Sequence, residues 1–218
     1  MSGAATEVDL TCHYDVRCFS DRFALALTKL LRFCADTFFA KRYGHRAVVL
    51  ETVVAVPGMV AATLNHLKSL RRMSDDQGWT ETLLNEAVNE RMRLMTFIAV
   101  ARPTWLERML IVLAQGIFYN AFFLLYLIAP GTAHRMVGYF EEEAVVSYTN
   151  YLAEIDVGRL PNVAAPPIAI KYWKLHPEAT LRDVIIAVRA DEAGHRDVNH
   201  RFANQLSSFA NSANTPTP

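Results

Sequence analysis

From Ala47 to Leu67 the chain reads AVVLETVVAVPGMVAATLNHL, an apolar stretch whose one acid or base, His66 aside, is Glu51. An ionised carboxylate in such surroundings is costly unless something pairs it. The fold must turn Glu51 to solvent, pair it with a base such as Arg46, or gather cations around it. Three more segments pose the same problem. Glu90 in LLNEAVNERMRLMTF, Glu141 in MVGYFEEEAVVSYT and Glu192 in VIIAVRADEAGHRDVNH each border an apolar run.

Apolar residues recur at three- and four-residue spacing along the body of the chain, and strand-like alternation is absent over any useful length. The spacing predicts an all-α protein with helices at 21–42, 46–73, 79–101, 104–129, 132–157 and 180–207. Breaks fall at Tyr43-Gly44, Ser74–Gly78, Arg102-Pro103 and Pro130-Gly131, with one long proline-rich connection at Gly158–Pro177. The domain reading is an N-terminal arm at 1–20, a single helical domain at 21–207, and a polar, mobile tail at 208–218. Hydrophobic residues make up 52% of the 218, enough for a substantial core. Lys+Arg and Asp+Glu balance at 22 each, which argues against a nucleic-acid partner. Cys12, Cys18 and Cys34 contain no CxxC pair. A disulfide framework and a thiolate zinc site are therefore excluded, and a reducing compartment fits. Residues 1–20 are too acidic and too polar for a signal or transit peptide. The chain is then made where it works, as in a bacterium, or a leader has been removed.

Two helices suggest a membrane. Met109–Ala133 runs 25 positions without a charge, which is long enough to span a bilayer. A helix buried all round in a bundle reads the same way. Helix 21–42 has a broad apolar face with Arg22, Lys29, Lys41 and Arg42, the pattern of a helix lying in the interface; an ordinary surface helix is the alternative.

The order of the four glutamates is the strongest chemical signal. A lone Glu (Glu51) precedes an E-x-x motif (Glu90), and a second lone Glu (Glu141) precedes E-x-x-H (Glu192, His195). This is the arrangement of ferritin-like di-iron carboxylate bundles, with one Glu from each of two helices and Glu-x-x-His from each of the others. Four carboxylates repel, two divalent cations balance them, and an oxygen-rich set with some imidazole suits iron or manganese. The pattern departs at Arg93, which stands where the first E-x-x motif asks for His. A guanidinium cannot ligate a metal. At about 5 Å it repels one by roughly 3 kcal/mol per unit charge at an effective dielectric near 20.

The stretches LETVVAVPGM (50–59), NERMRLMTF (89–97), AHRMVGYFEEEAVVSYT (133–149) and RADEAGHRDVNH (189–200) resemble the alternative oxidases, cyanide-insensitive ubiquinol oxidases. RYGHRA (42–47), LNHLKSLRR (64–72) and PPIAIKYW (166–173) add to the likeness, which runs from about Ser20 to Phe202. The resemblance implies a non-haem centre of two Fe ions that takes electrons from ubiquinol and reduces O2 to water without pumping protons. It implies metal ligands Glu51, Glu90, Glu141 and Glu192, with His195 beside them. Tyr148 would be the redox-relevant tyrosine, with Asn89 near it. It also implies a quinol pocket of Arg32, Asp36, Arg46, Leu50, Glu143, Ala144 and Thr149. On the residues alone, Arg32 and Asp36 read equally as a surface ion pair, and Tyr148 as a core tyrosine. A homodimer is implied, bound to one leaflet of the bacterial inner membrane (cytoplasmic face) or of the mitochondrial inner membrane (matrix face). Gly194 falls where many members carry a bulkier polar residue. Two rival readings stay open: another di-iron enzyme that modifies quinones, and an iron-free homologue in which Arg93 is the resident cation.

Overall fold

In the computed structural model, which describes residues 9–39, 43–101 and 104–213, the apolar spacing resolves into seven helices and no named strand. They are α1 (Phe19–Phe39), α2 (Tyr43–Arg72), α3 (Trp79–Ala101), α4 (Trp105–Ile128), α5 (Pro130–Asp156), α6 (Pro167–Trp173) and α7 (Leu181–Ala213). Local chemistry sets several of the boundaries. Asp76 accepts from the backbone N–H groups of Gly78 and Thr80 at the start of α3. Pro130 opens α5 at a position where a missing N–H costs nothing. At the start of α7 the Asp183 carboxylate accepts from both the backbone N–H and the hydroxyl of Thr180 (2.8 Å each).

Three boundaries differ from the sequence expectation. Tyr43 and Gly44 form the first turn of α2 rather than a break before it. The proline-rich connection contains α6, because Pro166 and Pro167 preset the backbone for a helical first turn. Helix α7 continues to Ala213, since no Gly or Pro interrupts residues 205–213, so the first part of the expected mobile tail is helical.

Helix α5 packs along α7 and α2 along α3, while α1 lies on α5 and α4 lies on α2 and α5. Two apolar clusters fill the interior. One contains Val48, Phe97, Tyr148, Leu152, Ile185 and Val188. The other contains Val56, Leu83, Tyr139, Met136 and Phe202. On each of the four central helices the glutamate of interest falls between them: Glu51 between Val48 and Val56, Glu90 between Leu83 and Phe97, Glu141 between Tyr139 and Tyr148, Glu192 between Val188 and Phe202. The carboxylates therefore meet in a polar layer with an apolar plug at either end.

Buried polar chains tie the helices together. Asn65 donates to the Tyr126 hydroxyl (2.8 Å), which lies 2.9 Å from His134 Nε2; His134 Nδ1 lies 2.9 Å from Asn199 Oδ1. Since Asn199 Oδ1 can only accept, His134 carries its proton on Nδ1 and accepts from Tyr126 through Nε2. On the outside of α5 and α7, residues 9–18 dock as a non-helical arm. Tyr14 donates to Asn204 (2.8 Å) and stacks on His200, while Arg135 joins Asp21 (2.8 Å) and Asn204 (2.6 Å) beneath it.

Helix α4 is not the core helix that its composition also allowed. Only 17% of the apolar window in Arg108–Ile128 is buried, and Leu106, Val112, Leu113 and Ile117 lie exposed. Besides the Tyr126 hydroxyl at its far end, Gln115 reaches inward, donating to the carbonyl of Thr52 on α2 (3.2 Å). Phe19, Phe23, Leu30 and Phe33 of α1 are exposed too.

Two outcomes test this packing. A Cβ at Gly138 would lie 2.5 Å from the His200 ring, whereas one at Gly194 meets nothing within 4 Å. Gly138→Ala is expected to cost about 1–3 kcal/mol, and Gly194→Ala to gain about 0.5–1 kcal/mol from helix propensity; chemical denaturation of the detergent-solubilised variants checks the contrast. Burial pushes His134 down to about 4 from its ordinary 6.5. The folded state thus resists protonation of this group. The stability it contributes, roughly 3 kcal/mol, is intact above pH 6.5, erodes as pH falls and is gone below about pH 4. Unfolding midpoints from pH 7 to 4 should flatten in His134→Gln relative to the native chain.

Candidate metal centre

The polar layer gathers Glu51, Glu90, Glu141 and Glu192 from α2, α3, α5 and α7, each at most 3% exposed. Glu90, Glu141, Glu192 and His195 each offer a ligand atom, all within 4.8 Å of one another. Residues 192 and 195 are one turn apart, so both side chains point the same way. His195 Nδ1 lies 3.3 Å from Glu90 Oε1. Burial first, and then the charge of Arg93, push His195 down to about 3, so the imidazole is neutral and able to ligate.

Arg93 lies inside the same layer with no exposed surface. Its Nε is 3.2 Å from Glu51 Oε2, and its terminal nitrogens pair with Glu90 and Glu192. The guanidinium differentiates the carboxylates. Burial lifts Glu51 to about 7 even with Arg93 opposing. Glu141 is driven well above the carboxylate range by burial and then by the charge of Glu192, and neither of its oxygens has a hydrogen-bond partner. Burial pushes Glu192 up as well, but the charge of Arg93 and hydrogen bonds to the carboxylate together hold this group low. Two buried oxygens of Glu141 and Oε2 of Glu192 thus await a cation or a proton. Three carboxylates and one neutral imidazole fit a hard or borderline divalent metal ion.

Tyr148 lies beneath this layer, donating its hydroxyl to Glu51 and stacking on Phe97 at 5.7 Å. Asn89 donates to Asp191 (2.7 Å) and to the Tyr172 hydroxyl (3.2 Å); Trp173 donates to the same Asp191 oxygen (2.8 Å). Asn89 and Asp191 each adjoin a cluster glutamate in sequence, Asn89 beside Glu90 and Asp191 beside Glu192. The visible role of their bridge is to hold α3 and α7 in register.

A cavity of about 510 Å³ opens on the far side of α5. Arg32, Glu143 and Thr149 line it, together with Lys29, His13 and Arg196. Glu143 pairs with both Lys29 and Arg32, and Arg32 also reaches Asp36 at 3.4 Å. Asp36 and Ala144 are not among the lining residues, and the side chains of Arg46 and Leu50 fall outside those described. Helix α5 is the shared wall, with Glu141 and Tyr148 facing the core and Glu143 and Thr149 facing the cavity.

Sequence reasoning missed Glu86. It is buried, accepts from Asn199 Nδ2 at 3.0 Å through both oxygens, and is lifted by burial to about 7. The signal was present: Glu86 is one turn before Glu90, as Asn199 is one turn after His195. Lys29, His13 and Arg196 were missed at the cavity because they come from the arm, α1 and α7, whose meeting no local pattern announces.

A family model described as alternative oxidase matches residues 2–204. A protein named "Ubiquinol oxidase, mitochondrial" from Batrachochytrium dendrobatidis is 59% identical over 187 residues, covering 86% of this chain and 59% of the relative. One of the same name from Mangifera indica is 56% identical over 199 residues, 91% of this chain and 62% of the relative. "Ubiquinol oxidase 1a, mitochondrial" from Arabidopsis thaliana is 58% identical over 199 residues, 91% and 56% respectively. The chain spans less than two thirds of the length of each of these relatives. Its helical bundle, its buried glutamate and histidine cluster and a family match over nearly its whole length agree: the chain belongs to the alternative oxidase family.

Proposed function

We propose that the chain oxidises ubiquinol and passes the electrons to O2 at a non-haem iron centre. Two ubiquinols supply four electrons and four protons, and one O2 leaves as two waters. The observation that carries this reading is the cluster of Glu90, Glu141, Glu192 and His195, buried and rich in unpartnered carboxylate oxygen, in a chain 56–59% identical to curated ubiquinol oxidases. Those four residues would hold the metal; the family pattern adds Glu51 and a second iron.

Bound iron would supply the redox chemistry between quinol and O2. The rest falls to the protein. Arg32, Lys29 and Glu143 set a charged, hydrogen-bonding wall at the cavity where a quinol headgroup fits, and Glu143 is the carboxylate placed to receive a quinol proton. Tyr148 is the redox-active side chain of this reading, bonded to Glu51 and screened from water by Phe97. The apolar plugs above and below the carboxylates keep bulk water from reactive species. Neither rival reading is favoured: the relatives are named as oxidases of ubiquinol, and the unpartnered oxygens of Glu141 favour a site that takes metal.

Ubiquinol is apolar and resides in the bilayer, so its oxidase must touch a leaflet. The exposed apolar residues of α1 and α4 suit that contact, with a second copy of the chain alongside. An inner membrane follows, on its matrix face in a mitochondrion or its cytoplasmic face in a bacterium.

Oxygen uptake driven by ubiquinol in the presence of cyanide tests the activity. Arg93→His is expected to exceed the native chain by at least about tenfold, in line with the cost of disturbing a metal's surroundings; no uptake in either protein overturns the reading. Membrane contact is tested by Leu110→Glu with Leu113→Glu. Each carboxylate forced into the bilayer costs about 2.5–3.5 kcal/mol, so the double variant should move from the membrane pellet to the supernatant. Retention in the pellet contradicts the contact.

A further inference from the structure

Among the largest fully buried side chains of this protein is a cation, Arg93, one turn after a carboxylate ligand. Its guanidinium reaches Glu51, Glu90 and Glu192 but not Glu141. The cluster is therefore lopsided. On one side Glu51 is bonded to the guanidinium and to the Tyr148 hydroxyl. On the other, Glu90, Glu141, Glu192 and His195 converge within 4.8 Å, and the Glu141 oxygens have no hydrogen-bond partner.

We propose that Arg93 is a built-in cation holding one of the two metal positions, so that the folded chain takes a single divalent ion at Glu90, Glu141, Glu192 and His195 while Glu51 stays with the guanidinium. This rests on the metal-binding part of the function proposed above, and not on turnover. Three arguments support it. A guanidinium offers only donors and keeps its charge, so it cannot join a coordination sphere and must exclude an ion from the space it fills. Four ionised carboxylates against one guanidinium leave three negative charges. One divalent ion reduces that to one, whereas a second would leave these residues with one excess positive charge, which only the neighbouring Glu86, already bonded to Asn199, could offset. Finally, the guanidinium has no way out: Asn89, Glu90, Thr96 and Phe97 around it on α3 are all buried, and withdrawing it would strip Glu51 of its ion pair.

The test is a metal count. The full chain in detergent is stripped with chelator, titrated anaerobically with Mn2+, desalted, and analysed by mass spectrometry for bound ions and by electron paramagnetic resonance for coupling. The native chain is expected to hold one ion per chain with an isolated-ion spectrum. Arg93→Lys should do the same, and Arg93→His should hold two with an exchange-coupled spectrum. In the native background, Glu51→Gln is expected to leave the Mn2+ Kd within about threefold, whereas Glu141→Gln weakens it by about 100-fold or more, beyond the loss of a merely orienting partner. A coupled pair in the native chain overturns the proposal. So does a native chain that binds no Mn2+, or a Glu51→Gln variant weakened as much as Glu141→Gln. If Arg93→His does not fold, the native count and the contrast between Glu51 and Glu141 still decide. One bound ion with no quinol-driven O2 uptake in any variant sinks the oxidase reading and upholds this one; a coupled pair with brisk native uptake does the reverse.

Discussion

Four carboxylates drawn from four helices and shielded from water can share one space only if positive charge enters with them. Most of this structure answers that constraint. Each of α2, α3, α5 and α7 is apolar above and below its glutamate, so burying the two flanking clusters delivers the carboxylate to the middle layer. Hydrophobic burial is the term large enough to force such a convergence. Partial relief then comes from within the chain, as the guanidinium of Arg93 neutralises one flank of the layer and leaves Glu141 on the other.

The layer is also held by its neighbours in sequence. Asn89 and Asp191, each adjoining a glutamate of the cluster, bond to one another across α3 and α7, with Tyr172 and Trp173 of α6 completing the brace. One turn further along, Asn199 bonds Glu86 and the carbonyl of His195. These contacts fix the spacing between helices that otherwise meet mainly through side chains. Carboxylate ligands placed without such support would splay apart by mutual repulsion.

The helices were legible because apolar spacing is a local property, and the four glutamates stood out because each interrupts an apolar run. Helix α6 was hidden by its prolines, which read as breakers although Pro167 in fact begins a helix. Sequence showed Arg93 where a histidine was expected, but only the packing of three helices reveals that its guanidinium turns inward among Glu51, Glu90 and Glu192. The resemblance places Asn89 near Tyr148, and its amide bonds Asp191, a partner 102 positions away whose approach depends on how α3 and α7 cross and so shows in no local pattern. Glu86 escaped notice because NEAVNER reads as an ordinary polar face, and its burial depends on Asn199 arriving from the far end of the chain. The cavity beside α5 is built from residues 10–13, α1, α5 and α7, and no single segment encodes it.

The bond from Gln115 to the carbonyl of Thr52 has a mechanical meaning. Among the described residues α4 is the one helix long and apolar enough to cross a membrane, with 17% of its apolar window buried, and Thr52 is the residue next to Glu51. In the membrane contact proposed above, a rod resting in lipid would be pinned, at one rung, to the backbone beside a carboxylate of the candidate metal centre. Lateral pressure or thickness of such a bilayer would bear on α4, and this strut would carry any shift to the edge of the carboxylate layer.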